Sequence, residues 1–180
     1  MRLVVLDRDG VINYDSPQFI KNPGEWKPIP GSLEAITMLN QSGFRVALAT
    51  NQSGIERGLF DMSTLNAIHD KMYRALGQLG GRIDALFYCP HSADSNCECR
   101  KPKCGMLDEI SRRFGIDLKG VPNVGDSLRD LQAGAAREMQ NILVRTGKGE
   151  LTLTSDGLPP NTWVVADLAE AAQRIIAAQS

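Results

Sequence analysis

The sequence predicts an α/β fold of three layers, a mainly parallel sheet covered by helices on both faces. Three observations carry that prediction. Short apolar runs alternate with segments of helical periodicity along the chain. The runs are apolar throughout, as strands covered on both faces are. Acidic and hydroxyl residues directly follow several of them, and open parallel sheets bind ligands at that edge.

Leu3-Val4-Val5-Leu6 reads as the first buried strand, and Asn13 to Pro30 as a long proline-rich loop. Ser32 reads as the cap of a helix with Leu33, Ile36 and Leu39 on one side and a stop near Gly43. Val46-Ala47-Leu48-Ala49 is the next strand. Leu65, Ile68, Met72, Leu76 and Leu79 then mark a longer helix, in which His69 is expected to have a surface or structural role. A strand around Ala85-Leu86-Phe87-Tyr88 precedes a helix carrying Met106, Leu107, Ile110 and Phe114. Val121 to Val124 reads as a strand, and Leu128, Leu131 and Ala135 share one side of the helix behind it. Ile142-Leu143-Val144 and Trp163-Val164-Val165 read as further strands, separated by the loop Gly147 to Asn161. Asp167 with Glu170 resembles a capping box at the start of the last helix. Trp26 and Trp163 are read as packing groups, and Lys148 as part of a mobile loop, with contact to an anion as the alternative.

The 180 residues fit one domain, 1–180, with the loop 89–104 inserted in it. The formal net charge is -1 and the basic residues are dispersed, apart from Arg100, Lys101 and Lys103, which excludes a nucleic-acid partner. No apolar run approaches the roughly 20 residues of a membrane span. The N-terminus carries no signal-peptide pattern, so the cytoplasm is the expected location. A monomer is expected, and no insertion is large enough to form a cap domain.

Asp7-Arg8-Asp9-Gly10 follows the first strand. Paired carboxylates there suit Mg²⁺, which takes a few protein oxygens plus a substrate phosphate. A carboxylate can also attack phosphorus while a second acid protonates the leaving oxygen. A solvated Asp-Gly turn is the alternative. Thr50-Asn51-Gln52-Ser53-Gly54 follows the second strand and offers a hydroxyl and backbone N–H groups to phosphate, or is an ordinary turn. Arg100-Lys101-Pro102 supplies cations for phosphoryl transfer, or is a solvated basic turn. In Gly125-Asp126-Ser127-Leu128-Arg129-Asp130, Asp126 completes a Mg²⁺ shell or caps a helix, and Asp130 is placed to orient Lys101.

Together these motifs resemble the haloacid dehalogenase superfamily of phosphatases. The resemblance implies a Rossmann-like three-layer sandwich, with Asp7 as nucleophile and Mg²⁺ ligand and Asp9 as general acid/base that offers its backbone carbonyl to Mg²⁺. It implies Thr50 binding the phosphoryl group, Lys101 neutralising charge and Asp126 binding Mg²⁺.

Cys89, His91, Cys97 and Cys99 fall within eleven residues. Three thiolates and an imidazole suit a closed structural Zn²⁺ site, with reduced, unliganded thiols as the alternative; Cys104 is left as a free cysteine at the helix start or replaces one thiolate. With this loop the chain resembles the capless family of bacterial heptose bisphosphate 7-phosphatases. That implies removal of the C7 phosphate from a sugar bisphosphate through an aspartyl phosphate, on the route to nucleotide-activated heptose for lipopolysaccharide core or related glycans. It also implies substrate contacts at Asp7 through Asp9, at Asp15, Ser16, Pro17 and Gln18, at Thr50, Asn51, Gln52 and Ser53, and at Arg100 and Lys101. Arg100 suits the sugar or its distal phosphate, because a guanidinium pairs bidentately with phosphate. Some members carry a basic residue where this chain has Ser127. Histidinol-phosphate phosphatases share the Asp-x-Asp motif and a similar zinc loop and form the competing resemblance.

Overall fold

The computed structural model describes residues 1–179. The predicted strands form at Arg2–Leu6 (β1), Phe44–Asn51 (β2), Ala85–Cys89 (β3), Pro122–Gly125 (β4), Gln140–Val144 (β5) and Trp163–Val165 (β6). They make one six-stranded sheet of order β3-β2-β1-β4-β5-β6. Every neighbouring pair is parallel. Helices connect the strands at Ser32–Gln41 (α1), Met62–Gly77 (α2), Gly105–Phe114 (α3), Leu128–Ala136 (α4), Gly149–Leu153 (α5) and Leu168–Ala178 (α6).

Successive strand side chains point to opposite faces, so a strand apolar throughout fills both. Val4 and Leu6 of β1 join Val46 and Leu48 of β2 beneath α1, α2 and α6, which contribute Ile36, Ile68, Met72 and Ile175. Leu3 and Val5 join Ala47 and Ala49 on the other face, beneath Met106, Leu107 and Ile110 of α3 and Ala133 of α4. The three-layer sandwich expected from the sequence is this arrangement.

Three local expectations change. Gly31, at φ 86°, takes the cap position of α1, and Ser32 is its first helical residue. The Ser32 hydroxyl instead donates to the Val11 carbonyl at 2.9 Å, tying the helix to the first loop. Leu79 lies past the end of α2 and is exposed. The two long loops are partly ordered by local hydrogen bonding, with a 3-10 turn at Pro23–Glu25 and α5 inside 147–161. Trp26 is buried as expected, and Trp163 packs under the Arg174 guanidinium at 4.2 Å. Asp167 caps α6 by accepting from the Glu170 amide at 2.9 Å.

Candidate active site

The chain runs outward from β1 through β2 to β3, then returns to β4 on the other side of β1. The crevice of such a sheet opens where the order reverses, at the carboxyl ends of β1 and β4. Asp7 follows β1 and Asp126 follows β4 at this point, and the Asp7 amide donates to the Val124 carbonyl at 3.0 Å. The backbone here admits no side chain. A Cβ on Gly10 would lie 2.0 Å from Asp126 Oδ2, and one on Gly147 would lie 2.3 Å from the same oxygen. Gly10 (φ 81°) and Gly147 (φ 57°) are both left-handed, which glycine adopts without strain. Asp126 Oδ2 accepts from the Lys148 amide at 2.8 Å, its carbonyl from the Thr152 hydroxyl at 2.7 Å, and the Gly10 carbonyl from the Thr146 hydroxyl at 2.6 Å.

Lys101 enters between these acids. Its ammonium lies 2.6 Å from Asp130 Oδ1 and 3.1 Å from Asp7 Oδ1, and donates to the Ala49 carbonyl at 2.7 Å. Burial alone would lower its proton affinity, but the carboxylates of Asp130 and Asp7 outweigh burial and hold its pKa above the usual lysine value. Asp130 also accepts from the amides of Asp126 and Ser127 and from the Ser127 hydroxyl. Burial pushes its carboxyl up, but Lys101 and these donors bring it below the ordinary range. Asp130 therefore orients Lys101, as read from the sequence, while Ser127 rather than Asp126 takes the cap position of α4. Asn51 fixes Lys101 from the other side: its amide donates to the Lys101 carbonyl at 3.2 Å and its oxygen accepts from the Lys101 amide at 3.1 Å.

Asp9 is gripped at both oxygens. Oδ1 accepts from Arg8 Nε at 3.1 Å, Arg8 Nη2 at 2.9 Å and Asn13 Nδ2 at 2.9 Å, and Oδ2 accepts from Gln52 Nε2 at 3.0 Å. Burial raises its pKa, but the Arg8 charge and these donors more than offset that and hold it low. The other Arg8 nitrogen meets His69 Nε2 at 3.1 Å. Of the two roles expected for His69, surface or structural, the structural one holds: it is buried against Arg8.

The donor set fits a divalent cation. Among the described residues the cluster holds two cations, Arg8 and Lys101, against four carboxylates, Asp7, Asp9, Asp126 and Asp130. The unbalanced charge falls on two groups. Asp7 is pushed up to about 7, by burial and then by Asp130. Asp126 is pushed up to about 8, by burial and then by Asp7 and Asp130. Carboxylate oxygens of Asp7, Asp126 and Asp130 lie within 4.8 Å of one another, and Asp130 is already occupied by Lys101. Asp7 and Asp126 are left to share an ion, and Mg²⁺ needs only one or two carboxylates.

A cleft of about 250 Å³ opens over these groups. Asp7, Asp9, Asp15, Ser16, Pro17, Asn51, Gln52, Ser53, Arg100, Lys101 and Asp126 all line it, as the sequence led us to expect. Two expected residues do not. Thr50 is fully buried, and its hydroxyl accepts from Gln52 Nε2 at 2.9 Å. Gln18 is absent from the lining, and its backbone N–H donates to the Ser16 hydroxyl at 3.1 Å. Arg57 and Arg129 line the cleft without having been singled out as contacts, and Lys148 lines it too, where the sequence favours a mobile loop over an anion contact. Arg129 and Arg57 depress the proton affinity of Arg100 after burial does, so the three cations face one another. Among the described residues, none of these three guanidiniums is in an ion pair. Lys148 closes the rim, 3.8 Å from Asp15.

The cysteine loop converges as expected. Ligand atoms of Cys89, His91, Cys97 and Cys99 all lie within 4.8 Å of one another, and no disulfide forms. Three sulfurs and one imidazole nitrogen around a single point fit a closed tetrahedral zinc site. Cys89 ends β3, and Cys99 directly precedes Arg100 and Lys101, so an ion at this point ties both cations to the sheet edge. Cys104 stands apart and donates weakly to the Ala133 carbonyl at 3.5 Å.

Comparison with known proteins gives one consistent picture. The family model described as "HAD-hyrolase-like" matches residues 98–171. The chain is 57% identical over 176 residues to a D-glycero-beta-D-manno-heptose-1,7-bisphosphate 7-phosphatase of Bordetella bronchiseptica, covering 98% of each. It is 50% identical to the protein of the same name in Pseudomonas putida, over 98% of this chain and 100% of that one. The crystal structure of D,D-heptose 1,7-bisphosphate phosphatase from B. bronchiseptica, complexed with magnesium and phosphate, superposes with a TM-score of 0.97 at 57% identity over 99% of both chains.

Proposed function

Because this chain belongs to the D-glycero-beta-D-manno-heptose-1,7-bisphosphate 7-phosphatase family of HAD-like hydrolases, we propose that it removes the C7 phosphate of that sugar bisphosphate and releases the heptose 1-phosphate. The carrying observation is one cleft lined both by Asp7 and Lys101 and by the guanidiniums of Arg57, Arg100 and Arg129, none of which is in an ion pair among the described residues. A substrate with two phosphates needs both a reaction centre and a second cationic subsite, and guanidinium suits phosphate. The product feeds synthesis of nucleotide-activated heptose for lipopolysaccharide core or related glycans. The chain works as one domain in the cytoplasm, as a monomer, with loop 89–104 held by Zn²⁺. No helix among the described residues is long and apolar enough to cross a membrane.

The chemistry follows from the residues. Asp7 attacks phosphorus, and an Oδ–P bond forms as the bond from phosphorus to the C7 oxygen breaks. Asp9 gives its proton to the departing oxygen. Its resting pKa is held low, and the negative charge of a phosphate beside it favours the protonated form that this step needs. Asp9 then takes a proton from a water whose oxygen attacks phosphorus. The bond to Asp7 breaks, and inorganic phosphate leaves. Lys101 offsets negative charge throughout, held by Asp130. Mg²⁺ held by Asp7, Asp126 and the Asp9 carbonyl supplies charge stabilisation at the phosphoryl oxygens.

Phosphate release from both anomers of heptose 1,7-bisphosphate and from histidinol phosphate tests this reading. The expected outcome is a kcat/KM for the bisphosphate at least about 100-fold higher, near the tens- to hundredfold that one lost charged contact is worth. A higher value for histidinol phosphate would sink it. Asp7→Asn should abolish turnover with the fold intact.

A further inference from the structure

The Arg8–His69 pair lies behind the acid rather than in the cleft, and no part of the mechanism above uses it. Arg8 is fully buried, and His69 is 5% exposed. A buried guanidinium must place its N–H groups on acceptors or lose their hydration uncompensated. Two of its nitrogens address Asp9 Oδ1, and the third addresses His69 Nε2. Arginine can only donate, so Nε2 carries the lone pair and the imidazole is neutral, with its proton on Nδ1. Burial and the adjacent guanidinium depress the His69 pKa to about 3, in agreement with that geometry. Apart from this contact, α2 sends nothing to the site, since no residue of 62–77 lines the cleft among the described residues.

The two oxygens of Asp9 are unequal. Oδ1 receives three donors and is full; Oδ2 receives one, from Gln52. A carboxylate oxygen offers about two lone-pair sites, so only Oδ2 can take and give a proton in the cleft. Rotation of the carboxyl would exchange the two. The planar guanidinium resists that rotation only if its own plane is fixed, and the His69 acceptor fixes it from the far side. We infer that His69 and Arg8 are positioning residues that hold the Asp9 carboxyl with Oδ2 toward the leaving oxygen. The inference rests on the reading of Asp9 as the general acid and base.

Leaving-group dependence separates positioning of an acid from mere structure. In kcat/KM the first transfer counts, and there an alkyl oxygen needs a proton while p-nitrophenolate leaves without one. His69→Leu, which keeps bulk and removes the acceptor, should lower kcat/KM about 10- to 100-fold on heptose bisphosphate but at most about threefold on p-nitrophenyl phosphate. His69→Gln, which restores a carbonyl acceptor, should recover most of that loss. An equal loss on both substrates, or no loss on the alkyl phosphate, overturns the inference. If His69→Leu does not fold, Arg8→Lys decides. It keeps the charge, loses the fork and should show the same substrate-dependent loss; a uniform loss overturns the inference. Asp9→Asn tests the underlying reading separately. A uniform loss there removes Asp9 as the acid. A substrate-dependent loss in Asp9→Asn beside a uniform one in His69→Leu retains Asp9 and sinks only the positioning role.

Discussion

A histidine that accepts from a buried guanidinium remains neutral wherever the fold survives, and this couples stability to pH. In the unfolded chain His69 titrates near 6.5; in the folded protein it does so near 3. Below about pH 6.5 the unfolded state binds a proton that the folded state refuses, so stability is full above 6.5 and is lost as pH falls toward 3. Between pH 7 and pH 5 that loss amounts to about 2 kcal/mol. Urea unfolding of the parent protein and His69→Leu at both pH values should show the parent losing about that much more. Little of this partnership is legible in the sequence. Asp7 and Asp126 follow apolar strands and declare themselves, and Asp130 reads as able to orient a neighbour such as Lys101. His69 carries no such mark, because its partner lies 61 residues away and the pairing depends on how α2 lands on β1. Thr50 shows a different limit: placement after a strand suggested a phosphate contact, but nothing in the sequence discloses that the hydroxyl is buried and bonded to Gln52.

Two turns hold the site from outside the motifs. The turn between β5 and α5 presses Gly147 against Gly10 and Asp126, and no sequence rule pointed to it. A Cβ at 147 would sit 2.5 Å from Gly10 Cα, in a left-handed conformation. Gly147→Ala should therefore displace Asp126, lowering kcat at least about tenfold and raising the Mg²⁺ concentration for half-maximal activity. Titration of activity with Mg²⁺ reads both, and an unchanged half-saturation would remove the turn from the metal site. The cysteine loop, by contrast, was legible because soft ligands at close spacing have few other uses. Its backbone is tied to the second motif: the Gln52 amide donates to the Cys89 carbonyl at 2.7 Å, and Glu56 accepts from the Ser92 amide. Removing Zn²⁺ should release this loop and with it Lys101, so melting temperature and activity should fall together. Freshly purified protein without about one zinc per chain would contradict that role.

At the scale of the molecule, topology concentrates charge. Reversal of strand order beside β1 brings together acids from positions 7, 9, 126 and 130, which lie in two motifs more than a hundred residues apart. The chain as a whole is nearly neutral, at -1, so composition could not disclose this local excess; strand-end placement combined with parallel order could. The excess makes metal binding and proton binding compete. Asp7 and Asp126 rise from 3.8 to about 7 and about 8, so without a cation the folded state holds protons that the unfolded state has released. That contribution is full below 3.8 and is lost as pH rises through 7 to 8, where the bare carboxylates repel. Mg²⁺ replaces those protons, so it should raise the melting temperature clearly at about pH 8.5 and much less at about pH 6, where protons already occupy the site. Thermal melts with and without Mg²⁺ at both values check this, with Asp126→Asn as the comparator that removes one of the two ligands. An equal Mg²⁺ shift at both pH values, retained in Asp126→Asn, would mean that the stabilising ion sits elsewhere.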